Sequence, residues 1–571
     1  MPAVKSANLC WGQRYMWLRV HRLPPRQQHE THVVMRFAIP EGLTLAGCRA
    51  LLTHFVRRHE ALRTTYHVEG PEQRVHPPGP FAAVVATTER DGTPAPAEVI
   101  DRLRTEPFDL AHEWPMRACL ITRGGAPRQV VLVFNHLAVD VWTLGEFERE
   151  LGAQATGLAT RRPVTPPPVR HQPADLARYE TSADAAVTAA GALAYWRDEI
   201  ARLPADPFAT RRAPAPPMGP EPGPEPEPAG AAAPRPPAAT HATLISPALL
   251  AAGRRVAARH GVWPSLVHMT AYTAMTAAYT GEETVSHLVF VGNRESHPFT
   301  DVLTCMFSPV PVRVDCSGDP PFGELLRRAA AALDRARAHA YLPYDELVEL
   351  LSREGSRRGR AVRLGSEVNF IKQSGEAYGG GRTALTWHPA PEAWAHYGGD
   401  AYLRVDEWPD AVALSLQASA AVLDAAAVEG FLRGHEALVL ACDDSAAEPR
   451  VSDAAALAAF APRDSGGPAT PSGRGDRSDW TDRDGATAGP ALTALTEAVC
   501  RANGLAAADP SGSYVLAGGR VLRIPGVLAD LAARGWSGLS LGDLAGPAPL
   551  GALAGRLVSP SALMRLGVKS S

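Results

Sequence analysis

Apolar residues change their spacing along the chain, and each change marks an element. Val130–Phe134 reads VVLVF, an unbroken apolar run of buried-strand length, and it leads straight into a polar cluster of Asn135, His136 and Asp140. From Trp142 to Leu151 the spacing and charge become those of a helix. His32–Ile39 alternates and predicts a strand, whereas Thr44–His59 gathers Leu45, Leu51, Leu52, Phe55 and Val56 on one helical face. Tyr66–Val68, Gln73–His76, Arg117–Arg123 and Gln129–Phe134 predict strands, and Ile100–Arg104 predicts a helix.

The second half continues the alternation. Ser246–Pro247 pairs an N-cap with proline at the first helical position, and Gly261 ends that helix. A further helix is expected from Pro264 to Tyr279, closed by Gly281. Val285–Val291 is a buried-strand run ending in Gly292-Asn293-Arg294. Phe322–Ala338 predicts a helix with an arginine face, Ser366–Ile371 and Ala411–Gln417 predict strands, and Ala425–Leu440 predicts a helix.

Proline dominates Pro163–Pro173 and again Ala213–Ala239, inside an insertion spanning about 205–240. That composition excludes helix and central strand and predicts a mobile surface loop, with a polyproline ligand for a partner as the alternative. From Pro462 to Pro490 the chain turns to Gly, Ser, Asp, Thr and Pro, the composition of a flexible linker (461–490). Leu492 to Leu557 then predicts a small helical module: a helix, a loop at Asp509–Leu516, a helix near Leu522–Arg534 and a last helix at Leu550–Leu557.

At 571 residues the chain is too long for one core. With 45% apolar and 20% charged residues it has an ordinary globular composition. A net charge of −3 gives no reason to expect nucleic acid as a partner, and only Lys5, Lys372 and Lys569 among the 57 basic residues are lysine. No apolar run approaches the roughly 20 residues that span a bilayer. The N-terminus lacks the pattern of a secretory signal, so a cytoplasmic protein is expected. The seven cysteines are scattered and form no CxxC pair, which suggests neither a disulfide framework nor a zinc site.

The polar cluster after Phe134 carries the candidate chemistry. A histidine at the mouth of a buried strand, with a carboxylate four residues on, can be held rigidly for proton transfer. A structural histidine at a strand end fits the same residues. Asn135–Val141, read NHLAVDV, resembles the HHxxxDG motif of the condensation domains of nonribosomal peptide synthetases. His136 and Asp140 are kept, while Asn135 replaces the first histidine and Val141 the glycine. Other stretches agree in order: Trp11–Leu18 (WGQRYMWL) with its Gln-x-x-x-Trp core, Arg58–Tyr66 (RHEALRTTY) against RHExLRTxF, and Tyr195–Pro204 (YWRDEIARLP) at the crossover between halves. Gly292–Arg294, Pro309–Val314 and Leu342–Leu347 match later motifs more loosely, and the resemblance covers about residues 8 to 455.

The resemblance implies an α/β (α+β) fold of two chloramphenicol-acetyltransferase-like lobes, residues 1–180 and 181–460, set in a V as a pseudo-dimer around a tunnel. It implies His136 as the catalytic residue. Asp140 becomes an architectural acid paired with Arg294, with Asn135, Val141 and Asn369 shaping the site and Trp142 and Ser308 contacting substrate. The C-terminal helical bundle, 491–571, resembles a carrier protein, whose GGDSL serine accepts phosphopantetheine. Here Gly518-Gly519 are followed by Arg520 and Val521, so the serine position has no hydroxyl.

The resemblance further implies a free-standing amide-forming condensation enzyme of natural-product assembly. No covalent cofactor and no metal are expected. Substrates would come on the 4'-phosphopantetheine of separate carrier proteins or synthetase modules, with a free small-molecule amine as a second kind of acceptor. No nucleic-acid or membrane partner is expected. Ester formation with an alcohol and a non-catalytic carrier-docking scaffold are the alternatives.

Overall fold

The computed structural model describes residues 4–87, 95–162, 164–208, 239–295, 297–373, 377–379, 381–444, 448–460 and 489–559. Most of the proline-rich insertion (209–238) and of the expected linker (461–488) lies outside the described residues. The insertion's flanks are packed structure: Phe208 is fully buried, and Ala239 begins a strand.

The N-terminal half holds strands β1 (Lys5–Asn8), β2 (His32–Ala38), β3 (Thr64–His67), β4 (Glu72–Val75), β5 (Val84–Thr87), β6 (Met116–Arg123) and β7 (Ala126–Asn135). They form two sheets, β1-β4-β3 and β2-β7-β6-β5. β7 is central in the second sheet and buried on both faces. Val130, Leu132 and Phe134 pack under the helices Leu45–Arg58 and Val141–Ala159, while Val131 and Val133 meet the helix Pro96–Thr105. Burial on two sides is why this strand reads as a continuous apolar run rather than an alternation.

The C-terminal half holds β8 (Ala239–Ser246), β9 (Thr284–Val291), β10 (Ser308–Asp315), β11 (Ser366–Lys372), β12 (Ala384–Trp387), β13 (Ala401–Glu407) and β14 (Val412–Ser419). They make one sheet in the order β10-β9-β11-β13-β14-β8-β12, with β9, β11 and β13 mutually parallel. The helices Pro247–His260, Pro264–Thr280, Phe322–Ala338 and Ala425–Asp444 contribute to its core. As the sequence predicts, Ser246 caps the first of these, and Gly261 and Gly281 close the first two in the left-handed conformation. Sequence periodicity misses the helices Ala183–Ile200, whose alanine content leaves a weak apolar stripe, and Tyr344–Arg358, where Tyr344, Leu347, Val348 and Leu351 do form one among charged residues.

The last described segment is a bundle of the helices Pro490–Asn503, Ile524–Ala533, Leu541–Ala545 and Leu550–Ala554. Its core of Leu495, Val499, Tyr514, Val521, Ile524 and Leu553 is continuous with Met16, Trp17 and Val20 of the helix Trp11–Arg22. Among the described residues, no helix is long and apolar enough to cross a membrane.

The C-terminal core buries three histidines. His268 Nδ1 lies 3.0 Å from His435 Nε2, and His287 Nδ1 lies 2.7 Å from Ser366 Oγ. Burial pushes His268 down to about 4 and His287 to about 3, and holds His435 well below its usual value. These groups ionise near 6.5 when unfolded, so the unfolded chain binds more protons between pH 6.5 and 4 and stability falls as the pH falls through that window. Denaturant unfolding at pH 7.0 and 4.0 should show a loss on the order of 3 kcal/mol from His268 alone. A His287→Asn variant should show a flatter profile; an unchanged slope refutes this assignment.

Candidate active site

The chain leaves β7 at Asn135 and enters the helix Val141–Ala159 six residues later. Asn135 is buried, its Oδ1 accepts the Leu137 N–H at 3.0 Å, and its carbonyl accepts the Ala138 N–H at 3.1 Å. Leu137, Ala138 and Val139 are fully buried, so the loop is fixed by packing as well as by hydrogen bonds. His136 is half-buried between them, and its Nδ1 stands 2.6 Å from the Val139 carbonyl. A carbonyl only accepts, so Nδ1 carries the proton and Nε2 keeps the lone pair.

Asp140 is buried at 3% exposure and ends the loop as the helix N-cap, accepting the Thr143 N–H at 2.7 Å. Its carboxylate also accepts from Arg294 Nη2 at 2.8 and 3.1 Å and from the Met306 N–H at 3.1 Å. Arg294 follows β9 and Asn293, a left-handed residue with φ of 51°. Arg294 Nη1 also donates to the Val302 carbonyl at 2.7 Å, and Nη2 to the Thr304 carbonyl at 3.1 Å. The guanidinium lies 4.0 Å under the ring of Trp142, which covers the ion pair on the solvent side.

The loop before β10 packs against the helix Trp11–Arg22. A Cβ at Gly12 would meet the Met306 backbone at 2.5 Å, so glycine is required there. Gln13 donates to Thr304 Oγ1 at 3.1 Å. The loop then presents Phe307, whose ring centroid is 5.1 Å from that of His136. Tyr15 lies 5.5 Å from Phe307 and 5.0 Å from Tyr344, and Phe290 lies 5.8 Å from Phe307, forming an aromatic cluster beside the histidine. Burial holds the His136 imidazole below its usual value, only partly offset by the Val139 carbonyl and the Asp140 charge. The imidazole is therefore neutral at pH 7, with Nε2 able to accept a proton.

The other expected site residues occupy different positions. Val141 is the first helical residue and is 54% exposed. Ser308 is buried and accepts from Asn293 Nδ2 at 3.0 Å, so its hydroxyl supports the turn that carries Arg294. Asn369 donates to the Tyr402 hydroxyl at 3.2 Å, on the β11–β13 surface. Sequence reasoning missed Tyr15, Phe290 and Phe307, since aromatic residues on three distant segments carry no local signal that they meet. Burial raises the Cys10 and Cys305 thiols well above their usual value, which removes them as nucleophiles. Among the described residues, no cluster of His, Cys, Asp or Glu is arranged to hold a metal ion.

The architecture is that of the chloramphenicol-acetyltransferase-like condensation domains. The X-domain from teicoplanin biosynthesis superposes with a TM-score of 0.58 at 20% identity, over 79% of this chain and 98% of that one. The condensation domain of the Monacolin K polyketide synthase MokA gives 0.58 at 18% identity, over 79% of this chain and 100% of that one. SgcC5 from Streptomyces globisporus gives 0.56 at 20% identity, over 77% of this chain and 99% of that one. The Condensation domain family model matches residues 12–371, well over half of the sequence, and the chain belongs to that family. Among curated proteins it is 27% identical to chondramide synthase cmdD of Chondromyces crocatus, across 56% of this chain and 8% of that protein. It is 28% identical to phosphinothricin tripeptide synthetase PhsB of Streptomyces viridochromogenes, across 62% of this chain and 29% of that protein. The chain therefore spans a minor part of these relatives.

Removing one member of a buried, hydrogen-bonded ion pair strands the other. Asp140→Ala also removes a helix cap, so it should lower unfolding free energy by about 3–5 kcal/mol in urea titrations. A loss below about 1 kcal/mol contradicts the central role of this carboxylate.

Proposed function

We propose that this condensation domain catalyses acyl transfer from a carrier-bound thioester to an amine, forming an amide in nonribosomal peptide or related natural-product assembly in the cytoplasm. The observation that carries the reading is the fixed tautomer of His136, a neutral imidazole with Nε2 as its basic nitrogen beside an aromatic cluster. The amine nitrogen attacks the thioester carbonyl and a tetrahedral oxyanion forms. His136 Nε2 takes the proton that the nitrogen sheds. Collapse breaks the carbon–sulfur bond, and the same proton passes to the departing thiolate. Asp140 and Arg294 hold the loop in shape and take no part in proton transfer. Asn135 supports catalysis by fixing the turn at Leu137, a task its side-chain carbonyl performs.

The donor arrives, in this reading, on the phosphopantetheine of a separate carrier protein. The C-terminal bundle is read as a degenerate carrier, on the grounds that its Gly518-Gly519 pair leads into Arg520 and Val521 where a carrier has its acid and serine. A docking role without chemistry is the second reading. Val141 in place of glycine favours it, as does a similar fold in the complex of the X-domain and OxyB from teicoplanin biosynthesis.

Product formation with a loaded carrier and matched amine and alcohol acceptors, followed by mass spectrometry, tests these readings. His136→Ala should lower the rate by about 10²–10⁴-fold. In the wild type the acid limb of kcat/KM should fall below pH 6.5, because the base is active when neutral and burial lowers its pKa. That limb should vanish in His136→Ala. An unchanged rate in the variant overturns the mechanism, carrier binding without turnover of either acceptor supports the docking role, and preference for the alcohol identifies ester formation.

A further inference from the structure

The helices Trp11–Arg22 and Tyr344–Arg358 each have two working faces. Their inner faces supply Tyr15 and Tyr344 to the aromatic cluster beside His136. Their outer faces hold the C-terminal bundle. Trp17 Nε1 donates to the Leu522 carbonyl at 3.2 Å, and Ser352 Oγ donates to the Gly546 carbonyl at 3.1 Å. Glu349 accepts both the Val521 N–H at 3.1 Å and Arg520 Nε at 3.0 Å, while Arg520 Nη2 reaches Glu346 at 3.3 Å. Val521 itself is fully buried.

The charge pattern explains the most unusual residue of the bundle. Asp345, Glu346 and Glu349 crowd the first turns of the helix Tyr344–Arg358. Arg14 pairs with Asp345 at 3.1 Å, and Arg520 pairs with Glu346 and Glu349. An acid at position 520, as in the GGDSL motif, would face these carboxylates as a like charge in a half-buried setting. Arg520 reverses that repulsion into attraction.

We propose that this acidic, two-helix face is a dedicated seat for the chain's own C-terminal bundle, and that the docked bundle is a fixed cover keeping carrier proteins off the two helices that back the aromatic cluster beside His136. The proposal rests on the reading of the bundle as a degenerate carrier, but the docking is tested separately.

The full-length chain carrying Arg520→Asp should undock. Amide hydrogen exchange in the segments 11–22, 344–358 and 519–524 should accelerate at least tenfold, with β7 and β13 unchanged as a folding control. Glu349→Arg should do the same, and Glu349→Arg combined with Arg520→Glu should recover slow exchange in part. Unchanged exchange in both single variants overturns the cover. A second arm uses a phosphopantetheinyl transferase with coenzyme A and reads the added mass. Val521→Ser alone should stay unmodified because the site is buried in the interface, whereas Arg520→Asp with Val521→Ser, which restores GGDSL, should be modified. Equal modification of both overturns the cover. Modification of neither, with exchange showing release, removes the carrier reading and leaves the cover standing.

Discussion

One carboxylate ties the molecule together. Asp140 caps the helix that follows the His136 loop, receives an arginine from the other half of the chain and holds the backbone of the loop before β10. The three duties reinforce one another. The cap orients the carboxylate, the arginine neutralises it in a buried setting, and the Met306 amide brings Phe307 to the histidine. A buried charge is tolerated only when its partners are in place, so the two halves can settle in few arrangements. His136 inherits its position from that constraint.

The motifs that give the chain its family character mostly serve this architecture. In RHEALRTTY, His59 Nε2 is 3.1 Å and Arg58 Nε 2.9 Å from Glu150 on the helix Val141–Ala159. Glu60 is buried and pairs with Lys5 at 2.9 Å. Gly12 and Gln13 of the N-terminal signature act through contact with the loop of Thr304–Met306. Within these segments the charged groups fasten one element to another. His136 differs in that its Nδ1 bonds within its own loop, to the Val139 carbonyl.

The same logic extends to the C-terminal bundle. Gly519 is needed because a Cβ would sit 2.5 Å from the Tyr514 ring, and Tyr514 in turn donates to the Arg520 carbonyl at 2.9 Å. Arg520 is thus presented by a rigid turn toward the acids of the helix Tyr344–Arg358. Packing inside the bundle and charge outside it converge on Arg520 and Val521.

Much of this was legible in the amino-acid order. The two-sided burial of β7 is written in VVLVF, the helix ends in Ser246-Pro247, Gly261 and Gly281, and the candidate histidine and aspartate in NHLAVD. These are local signals, since strand period, capping and glycine conformation depend on neighbours a few residues away. The helix Ala183–Ile200 escaped because its alanine-rich face is defined by what packs on it rather than by a strong apolar stripe. Only the tertiary structure brought Phe307, Tyr15 and Phe290 around His136, placed Trp142 over Arg294 and set Arg520 against Glu346 and Glu349. Each of those meetings joins residues distant in the chain, and no local pattern encodes a contact whose geometry is fixed by the packing of two halves and a bundle.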